Sequence, residues 1–249
     1  MNLEDIAGRI VRGGTRNCAV TGAGISVESG VMPFRGKGGL WEKVDPMEVA
    51  HIDAFRRDPS RYWSVRGPFI KDLKNIKPNE GHVALAKMEE KELLGAIITQ
   101  NIDGLHHAAG SRKIVEFHGN VRTLSCVQCR KSVASDDAPL DDLPPHCGCG
   151  GVLRPDVVMF GEAIPPHALL ESERLAENCA VMLVVGTSGI VQPAASLPLI
   201  AKRAGAFIVE INPEETPLTE YASDVFLQGK SGEVLPALYE VILKRMAGD

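Results

Sequence analysis

The stretch Val181-Met182-Leu183-Val184-Val185 is an unbroken apolar run, and Gly186-Thr187-Ser188 follows it directly. Such a run is typical of a strand in a parallel sheet that helices cover on both faces. Further short apolar runs lie at 17–21, 94–99, 114–117 and 206–211. Helices are predicted over 4–13, 51–74, 80–92, 167–177, 194–204 and 233–246, with breaks at Pro59 and Pro68. Strands that alternate with helices predict an α/β fold built on a Rossmann-like, doubly wound parallel sheet.

Two smaller modules interrupt the predicted sheet. Residues 30–50 are rich in Gly and Pro and have few strand signals, which favours a long functional loop. We therefore expect a Rossmann-like domain from 1–35, 81–120 and 155–249, a loop and helical module from 36–80, and a cysteine module from 121–154.

The overall composition is that of an ordinary globular protein. The chain has 249 residues, of which 44% are hydrophobic and 24% charged, and its net charge is -5. An acidic balance gives no field that attracts nucleic acid, so we expect no direct nucleic-acid binding. No apolar run has the length of a membrane span, and the acidic N-terminus lacks a signal-peptide pattern. We expect a cytoplasmic protein that acts as a monomer.

Four of the six cysteines have the spacing of a metal site. Cys126, Cys129, Cys147 and Cys149 form two close pairs in the pattern C-x2-C-x17-C-x-C. Paired cysteines at this separation predict one structural, tetrahedral zinc ion. Four thiolates leave no open position on the metal, so the ion should support the fold and take no part in chemistry. Cys18 and Cys179 lie in apolar segments, and we interpret them as buried small hydrophobes.

Small or polar residues follow four of the predicted strands. In an open α/β sheet, ligands bind beyond the carboxyl ends of the strands. Gly22-Ala23-Gly24 can bring backbone amides close to a phosphate, although Val27 stands where the usual dinucleotide fingerprint has a third glycine. Four such ends together favour a ligand as large as a dinucleotide. They are Gly22 to Ser26, Gln100 to Asp103, Gly186 to Ser188, and Asn212.

His118 is the candidate general base. It follows a predicted strand and precedes Gly119, which lets the backbone bend and a ligand approach. An imidazole with its ordinary pKa near 6.5 suits proton abstraction around neutral pH. We interpret the other six histidines as structural or surface residues.

These motifs together resemble those of the sirtuin family, the NAD-dependent protein lysine deacylases. The resemblance extends over residues 21 to 212 in the family's order, and the compact chain is similar to prokaryotic members. The matching segments are Thr21 to Ser26, Phe34-Arg35-Gly36, Thr99 to Asp103, His118-Gly119, the cysteine quartet, Phe160-Gly161-Glu162, Gly186-Thr187-Ser188 and Ile211-Asn212.

The resemblance implies a reaction in which NAD is consumed and no hydride is transferred. The acyl-lysine oxygen attacks the nicotinamide ribose as nicotinamide leaves. His118 then deprotonates a ribose hydroxyl, and water completes the release of lysine and O-acyl-ADP-ribose. His118 and Asn101 are the catalytic residues that the resemblance implies.

The same resemblance implies the contacts with NAD and with an acyl-lysine protein or peptide. Phe34 should shield the reacting sugar, and Asp103 should accept from the nicotinamide carboxamide. The implied NAD-binding residues are Gly22, Ala23, Gly24, Ser26, Val27, Phe34, Arg35, Gln100, Asn101, Ile102, Asp103, Gly186, Thr187, Ser188, Asn212 and Ser231. The implied substrate-binding residues are Val158, Phe160, Gly161 and Glu162, where a strand would pair with the peptide.

Two departures from the family pattern affect the detail. The loop reads Met32-Pro33-Phe34-Arg35, where members often have Pro-Asp or Pro-Thr before Phe-Arg. Members that prefer acidic acyl groups carry Tyr-x-x-Arg, whereas Tyr62 is four residues from Arg66, which favours acetyl and other uncharged groups. Three other functions remain open: mono-ADP-ribosyl transfer from NAD in the same pocket, an NAD-linked dehydrogenase, and a zinc-ribbon module for nucleic acid.

Overall fold

The computed structural model describes residues 2–33 and 39–248 of the chain. Within those residues a parallel sheet has the order β3-β2-β1-β7-β8-β9, and a small antiparallel sheet has the order β5-β4-β6. The described strands are β1 (Cys18–Thr21), β2 (Ala96–Thr99), β3 (Ile114–Glu116), β4 (Gly119–Cys126), β5 (Ser132–Ala134), β6 (Leu153–Val157), β7 (Val181–Val185), β8 (Phe207–Asn212) and β9 (Val225–Gln228).

Helices connect these strands, and two of the longer ones have well-defined caps. The Asn2 side chain accepts from the Asp5 amide at the start of the first helix, and the Asn79 side chain accepts from the Gly81 amide at the start of the fifth. The described helices are α1 (Leu3–Gly13), α2 (Pro46–Val49), α3 (Ile52–Arg57), α4 (Pro59–Leu73), α5 (Glu80–Glu90), α6 (Leu105–Ala108), α7 (Pro166–Glu177), α8 (Leu197–Arg203), α9 (Pro217–Tyr221) and α10 (Ser231–Gly248).

The large sheet is covered on both faces, and alternate strand residues point to opposite sides. Ala19 and Leu183 pack in one core with residues of α1, α5 and α10. Val20 and Met182 pack in another core with residues of α7 and α8. The strand order reverses between β1 and β7, which gives the doubly wound topology with its switch point between those two strands. The predicted Rossmann-like architecture is confirmed.

A third core joins the helical segment to the small sheet. Trp63 of α4 is fully buried there, and its Nε1 donates to the carbonyl of Leu153 at 3.0 Å. Leu124 of β4 and Ile102, which follows β2, belong to the same cluster. The cysteine module and the helical segment therefore pack together, and their common core extends to the end of a strand of the large sheet.

The structure differs from the sequence-based expectation at Pro68. The proline was expected to break the helical run, but α4 continues through it from Pro59 to Leu73. Trp63 and Ile70, on either side of Pro68, are buried in the third core. Their packing outweighs the lost backbone hydrogen bond, which costs about 3 kcal/mol. The expected break at Pro59 is confirmed, since this residue opens α4 directly after α3.

Candidate active site

A cavity of about 950 Å³ lies beyond the carboxyl ends of β1, β2, β7 and β8. All four sequence-predicted strand ends contribute to its wall. Its lining includes most of the residues singled out from the sequence: Gly22, Ala23, Gly24, Val27, Gln100, Asn101, Ile102, His118, Val158, Phe160, Gly161, Glu162, Gly186, Thr187, Ser188 and Asn212. A cavity of this size at the switch point of a doubly wound sheet is where such folds bind a dinucleotide.

Glycines allow the loop after β1, Gly22 to Ser26, to pack against the loop after β7, Gly186 to Ser188. The Gly22 amide donates to the Val185 carbonyl at 3.0 Å, and the Gly24 amide donates to the Gly186 carbonyl at 2.8 Å. Gly186 has a φ of 62°, and a Cβ there would stand 2.3 Å from the Ile25 amide nitrogen. Only glycine fits such a contact between backbones. The chain after Gly22 forms a 3₁₀ helix, Ala23–Ser29.

A buried polar network holds the end of β2 against the first glycine loop. The Asn101 side-chain amide donates to the Gly22 carbonyl and to the Ser26 hydroxyl, both at 3.1 Å. The Ser26 hydroxyl in turn donates to an oxygen of Asp103 at 2.7 Å, and the Leu105 amide donates to the other oxygen at 2.9 Å. Burial raises the pKa of Asp103, although both hydrogen bonds oppose that shift. Asn101 faces the cavity, while Ser26 and Asp103 lie outside its described lining.

A second set of contacts joins the ends of β2, β7 and β8. The Gln100 side-chain amide donates to the Thr187 hydroxyl at 3.0 Å. The Asn212 side-chain amide donates to the Thr187 carbonyl at 2.9 Å. Thr187 thus links the two halves of the sheet at the switch point. A dinucleotide bound in such a fold lies across this point and contacts both halves.

His118 lies in the cavity wall between β3 and β4. Its Nδ1 is 3.1 Å from the Gln100 carbonyl oxygen. When Nδ1 carries the proton and donates to that carbonyl, Nε2 is left as the basic nitrogen. Burial lowers the pKa of His118, and the bond to Gln100 only partly offsets this. The imidazole is therefore neutral, and able to accept a proton, at neutral pH.

Gly119 fixes the turn that aims His118. It has a φ of 72°, and a Cβ there would meet the Asp156 carbonyl oxygen at 2.0 Å. The His118 carbonyl accepts from the Val158 amide at 2.9 Å. The candidate base is therefore hydrogen-bonded directly to the segment that was predicted to bind the substrate peptide.

That predicted peptide segment is not an extended strand throughout, because β6 ends at Val157. The Phe160 amide donates to the Ala50 carbonyl at 2.9 Å, and its carbonyl accepts from the Ile52 amide at 3.0 Å. Glu162 folds back onto the segment, where it binds Arg154 through both oxygens at 2.8 Å. The segment is thereby rigid before any peptide arrives.

Two residues of α4 also line the cavity. Tyr62 and Arg66 lie one helical turn apart, and both are buried. The Arg66 guanidinium stacks over the Phe69 ring at 4.6 Å. From the sequence, Tyr62 and Arg66 were noted only because their spacing departs from the family's Tyr-x-x-Arg motif. Residues four apart on a helix lie on the same face, which is why both side chains reach the cavity.

Glu210 is a supporting residue that the sequence analysis missed. It is fully buried in β8, and its carboxylate accepts from the hydroxyls of Thr216, Thr219 and Ser223 at 2.5, 2.7 and 2.7 Å. These hydroxyls satisfy the hydrogen-bonding capacity of the buried carboxyl group. They also fix the segment after Asn212, part of which lines the cavity. The detectable signal was a lone acidic residue inside an apolar strand, followed by closely spaced hydroxyl residues.

Two histidines interpreted as structural lie behind the polar network. His106 Nε2 is 2.9 Å from the Thr21 hydroxyl, and His82 Nε2 is 3.4 Å from the Ser26 hydroxyl. Their rings pack edge to face with centroids 4.9 Å apart. Burial lowers the pKa of His82 to about 4. His82 touches the network that holds Asn101, so it is closer to the site than its place on an apolar helix face suggested.

The remaining predicted NAD contacts lie away from the cavity or outside the described residues. The Ser231 hydroxyl donates to Glu28 at 3.4 Å, and Ser231 is not among the described lining residues. Phe34 and Arg35 lie outside the residues that the structure describes.

The four predicted metal ligands are brought together. All four Sγ atoms lie within 4.8 Å of one another, with Cys126 and Cys149 at 3.5 Å and Cys129 and Cys147 at 3.7 Å. Zn–S bonds of about 2.3 Å in a tetrahedron place sulfurs at similar separations, so the donor set fits zinc. The amides of Cys129 and Gln128 donate to Cys126 Sγ and help to lower the pKa of Cys126 to about 6, which favours the thiolate.

The sheet order, the glycine loops and the switch-point cavity define a Rossmann-type α/β protein with an inserted four-cysteine module. The chain belongs to the Sir2 family, whose model matches residues 22–193.

Relatives match over nearly the whole chain. The NAD-dependent protein deacylase 2 of Pyrobaculum aerophilum is 49% identical over 248 residues, covering 99% of this chain and 97% of that protein. A mutant Sir2 homologue in complex with 2'-O-acetyl ADP ribose has a TM-score of 0.92 at 43% identity, covering 99% of this chain and 98% of that one. A Sir2–p53 peptide–NAD+ complex has a TM-score of 0.87 at 36% identity, with coverages of 96% and 98%.

Proposed function

We propose that this chain is an NAD-dependent protein lysine deacylase, which transfers the acyl group of a modified lysine to ADP-ribose and releases nicotinamide. The observation that carries the proposal is His118, a neutral imidazole in the wall of a dinucleotide-sized cavity. The similarity to NAD-dependent protein deacylases and to the acetyl ADP ribose and peptide complexes supports the same reaction here.

The residues present fit NAD at the strand ends. The paired glycine loops bring backbone close to where a diphosphate would lie, and Asn212 and Ser188 line the part of the wall suited to the adenosine half. Gln100 and Asn101 line the wall beside His118, where the nicotinamide ribose would lie. When bound, NAD supplies the ribose carbon that accepts the acyl oxygen in exchange for nicotinamide.

The side chains then have distinct tasks in our proposal. Asn101 orients the ribose or a water from a position fixed by Gly22 and Ser26. Asp103 accepts from the carboxamide with a carboxylate that Ser26 and the Leu105 amide hold in place. His118 removes a proton from a ribose hydroxyl through Nε2, while Nδ1 stays on the Gln100 carbonyl.

We place the peptide along Val158 to Glu162. The Val158 amide is bonded to His118, and Phe160 is anchored to Ala50 and Ile52, so this segment offers a rigid edge beside the base. Main-chain pairing with a peptide would use groups of this segment other than the Val158 amide and the Phe160 amide and carbonyl, and it gives affinity with little dependence on the side chains of the peptide.

One zinc ion, held by the four cysteines, has a structural role in this proposal. The thiolates fill a tetrahedral shell, which leaves no site for substrate on the metal.

Among the described residues, no helix has the length and apolarity needed to cross a bilayer. We expect the enzyme to be a cytoplasmic monomer that does not bind nucleic acid directly.

An acyl-peptide panel tests this function. The protein is incubated with NAD and one lysine peptide carrying an acetyl, a longer uncharged or a succinyl group, and products are identified by mass spectrometry. We expect nicotinamide and O-acyl-ADP-ribose in equal amounts, with uncharged acyl groups preferred. Transfer of ADP-ribose to protein without O-acyl-ADP-ribose would instead identify a mono-ADP-ribosyltransferase. Reduced nicotinamide without free nicotinamide would identify a dehydrogenase.

A further inference from the structure

Cys18 and Cys179 lie against each other although they are 161 residues apart in the sequence, and their Sγ atoms are separated by 3.1 Å. This is closer than the 3.5 and 3.7 Å that separate sulfurs within the zinc-type quartet. The two cysteines belong to the core between the large sheet and α7 and α8, away from the quartet. Hydrophobic packing alone does not require two sulfurs to approach so closely.

The backbone around the pair is held in register. Cys18 is the first residue of β1 and is paired with Met182 on the neighbouring parallel strand β7. The Ala180 amide donates to the Arg16 carbonyl at 3.0 Å, which ties the segment before Cys18 to the residue after Cys179. The Cys179 thiol also donates to the Val181 carbonyl at 3.0 Å. From 3.1 Å, the sulfurs must approach by about 1 Å to reach the S–S bond length of about 2.05 Å.

We propose that Cys18 and Cys179 form an oxidative modification site, at which a hydroperoxide converts the two thiols into an intramolecular disulfide. Cys179 is the more exposed partner, at 7% against 2% for Cys18, and it reacts first. Its sulfur takes one oxygen from hydrogen peroxide to become a sulfenic acid, and one water is released. The Cys18 sulfur then attacks the Cys179 sulfur, so that the S–S bond forms, the S–O bond breaks and a second water leaves. The thiols lose two electrons, and the peroxide gains them.

The disulfide would join the starts of the two strands that flank the switch point. At their other ends, these strands carry the first glycine loop and Gly186. A cross-link that closes so long a loop restricts the unfolded chain and stabilises the native state. Since β1 separates Cys18 from the cavity, we expect deacylation to be unchanged.

The environment of Cys18 agrees with first oxidation at Cys179. The hydrogen bond between the two thiols and their burial raise the pKa of Cys18, which disfavours its thiolate and makes it the less reactive thiol toward peroxide. Burial also shields the disulfide, once it has formed, from bulky thiol reductants.

Peptide mapping of the zinc-loaded, full-length protein tests the proposal. After limited treatment with hydrogen peroxide and quenching, free thiols are blocked with N-ethylmaleimide in denaturant, and the protein is digested with trypsin without reductant. We expect peptide 17–35 linked to peptide 175–202, two hydrogens lighter than the free pair and separated by dithiothreitol. The unfolding midpoint should rise by about 5–15 °C on oxidation.

Two variants serve as controls. C18A and C179A should show neither the linked peptides nor the rise in the unfolding midpoint. The wild-type peptide map decides the proposal even if a variant folds poorly. Recovery of both peptides with blocked thiols after the peroxide is consumed would overturn it. So would further oxidation of Cys179 to a sulfinic acid without a cross-link.

Discussion

The strand-end cavity and the cysteine quartet both gather reactive side chains, but they differ in what each leaves available. In the cavity, His118 uses Nδ1 on the Gln100 carbonyl and retains a basic Nε2. In the quartet, four Sγ atoms face one another and would together complete the tetrahedral coordination shell of one zinc ion. The open arrangement can act on a substrate, whereas the closed one can only hold structure.

Loss of the metal should have the largest effect on the whole molecule. We expect C147S, or removal of zinc by a chelator, to abolish zinc binding and lower deacylation at least about tenfold. The physical reason is that the cysteine module shares its core with Ile102 and Met159, which both line the cavity. Metal analysis, unfolding midpoints and product formation measure this.

The matched control for that variant is C179A, a cysteine outside the quartet. It should keep a full equivalent of zinc. Binding of NAD to C147S, measured by calorimetry, should weaken much less than deacylation, because the glycine loops belong to a different core. Full activity in zinc-free protein would remove the structural role assigned to the ion.

The contact between the two glycine loops can be disrupted without changing a proposed catalytic residue. G186A places a Cβ at positive φ and 2.3 Å from the Ile25 nitrogen, so the two loops must separate. We expect a loss of about 1–3 kcal/mol or more in the free energy of unfolding, and markedly weaker NAD binding by calorimetry. G205A is the control, since Gly205 also has positive φ but a Cβ there meets nothing within 4 Å. Equal NAD affinity in both variants would contradict the role of the loop contact.

Glu210 allows a finer test of the open region. E210Q replaces an acceptor of three hydroxyl bonds and should loosen the segment from Thr216 to Ser223. Because this segment adjoins the cavity, we expect KM for NAD to rise by roughly 3–10-fold, equivalent to about 1 kcal/mol. The segment does not adjoin His118, so kcat should be unchanged. E220Q, an exposed change on the same segment, should leave both constants as they are. A fall in kcat alone for E210Q would be inconsistent with this positioning role.

The smallest expected effect is a shift in the pH profile. The base must be neutral, and its protonated fraction grows as the pH falls through its pKa. Since burial lowers the pKa of His118 below the ordinary 6.5, the acid limb of kcat/KM should lie below pH 6.5. Circular dichroism at each pH must show a folded protein, because His82 and His106 are also held neutral by burial. An acid limb at or above pH 6.5 would argue against a desolvated base.

Much of the open region could be predicted from the sequence because parallel strands bring their carboxyl ends together. Apolar runs identified β1, β2, β3, β7 and β8, and polar residues at four of those ends face one cavity. The edge strand β9 was missed because it is only partly buried and its apolar run, Val225-Phe226-Leu227, is short.

The small sheet and the supporting residues were harder to predict. Strand β6 contains Arg154 and Pro155, so it lacks an apolar run, although its burial alternates as a strand's should. Glu210 depends on hydroxyls from a different element, and Ser26 and Asp103 meet only when β1 and β2 are side by side. Contacts of this kind arise from tertiary packing and leave no local periodicity.

The most direct test of the central claim is deacylation by H118A, with H167A as the matched control on the exposed surface of α7. Both variants should fold with wild-type zinc content and unfolding midpoints. We expect H118A to lose about 10²–10⁴-fold in the rate of O-acyl-ADP-ribose formation, while H167A retains the wild-type rate. Near-wild-type turnover by H118A would contradict the assignment of His118 as the base.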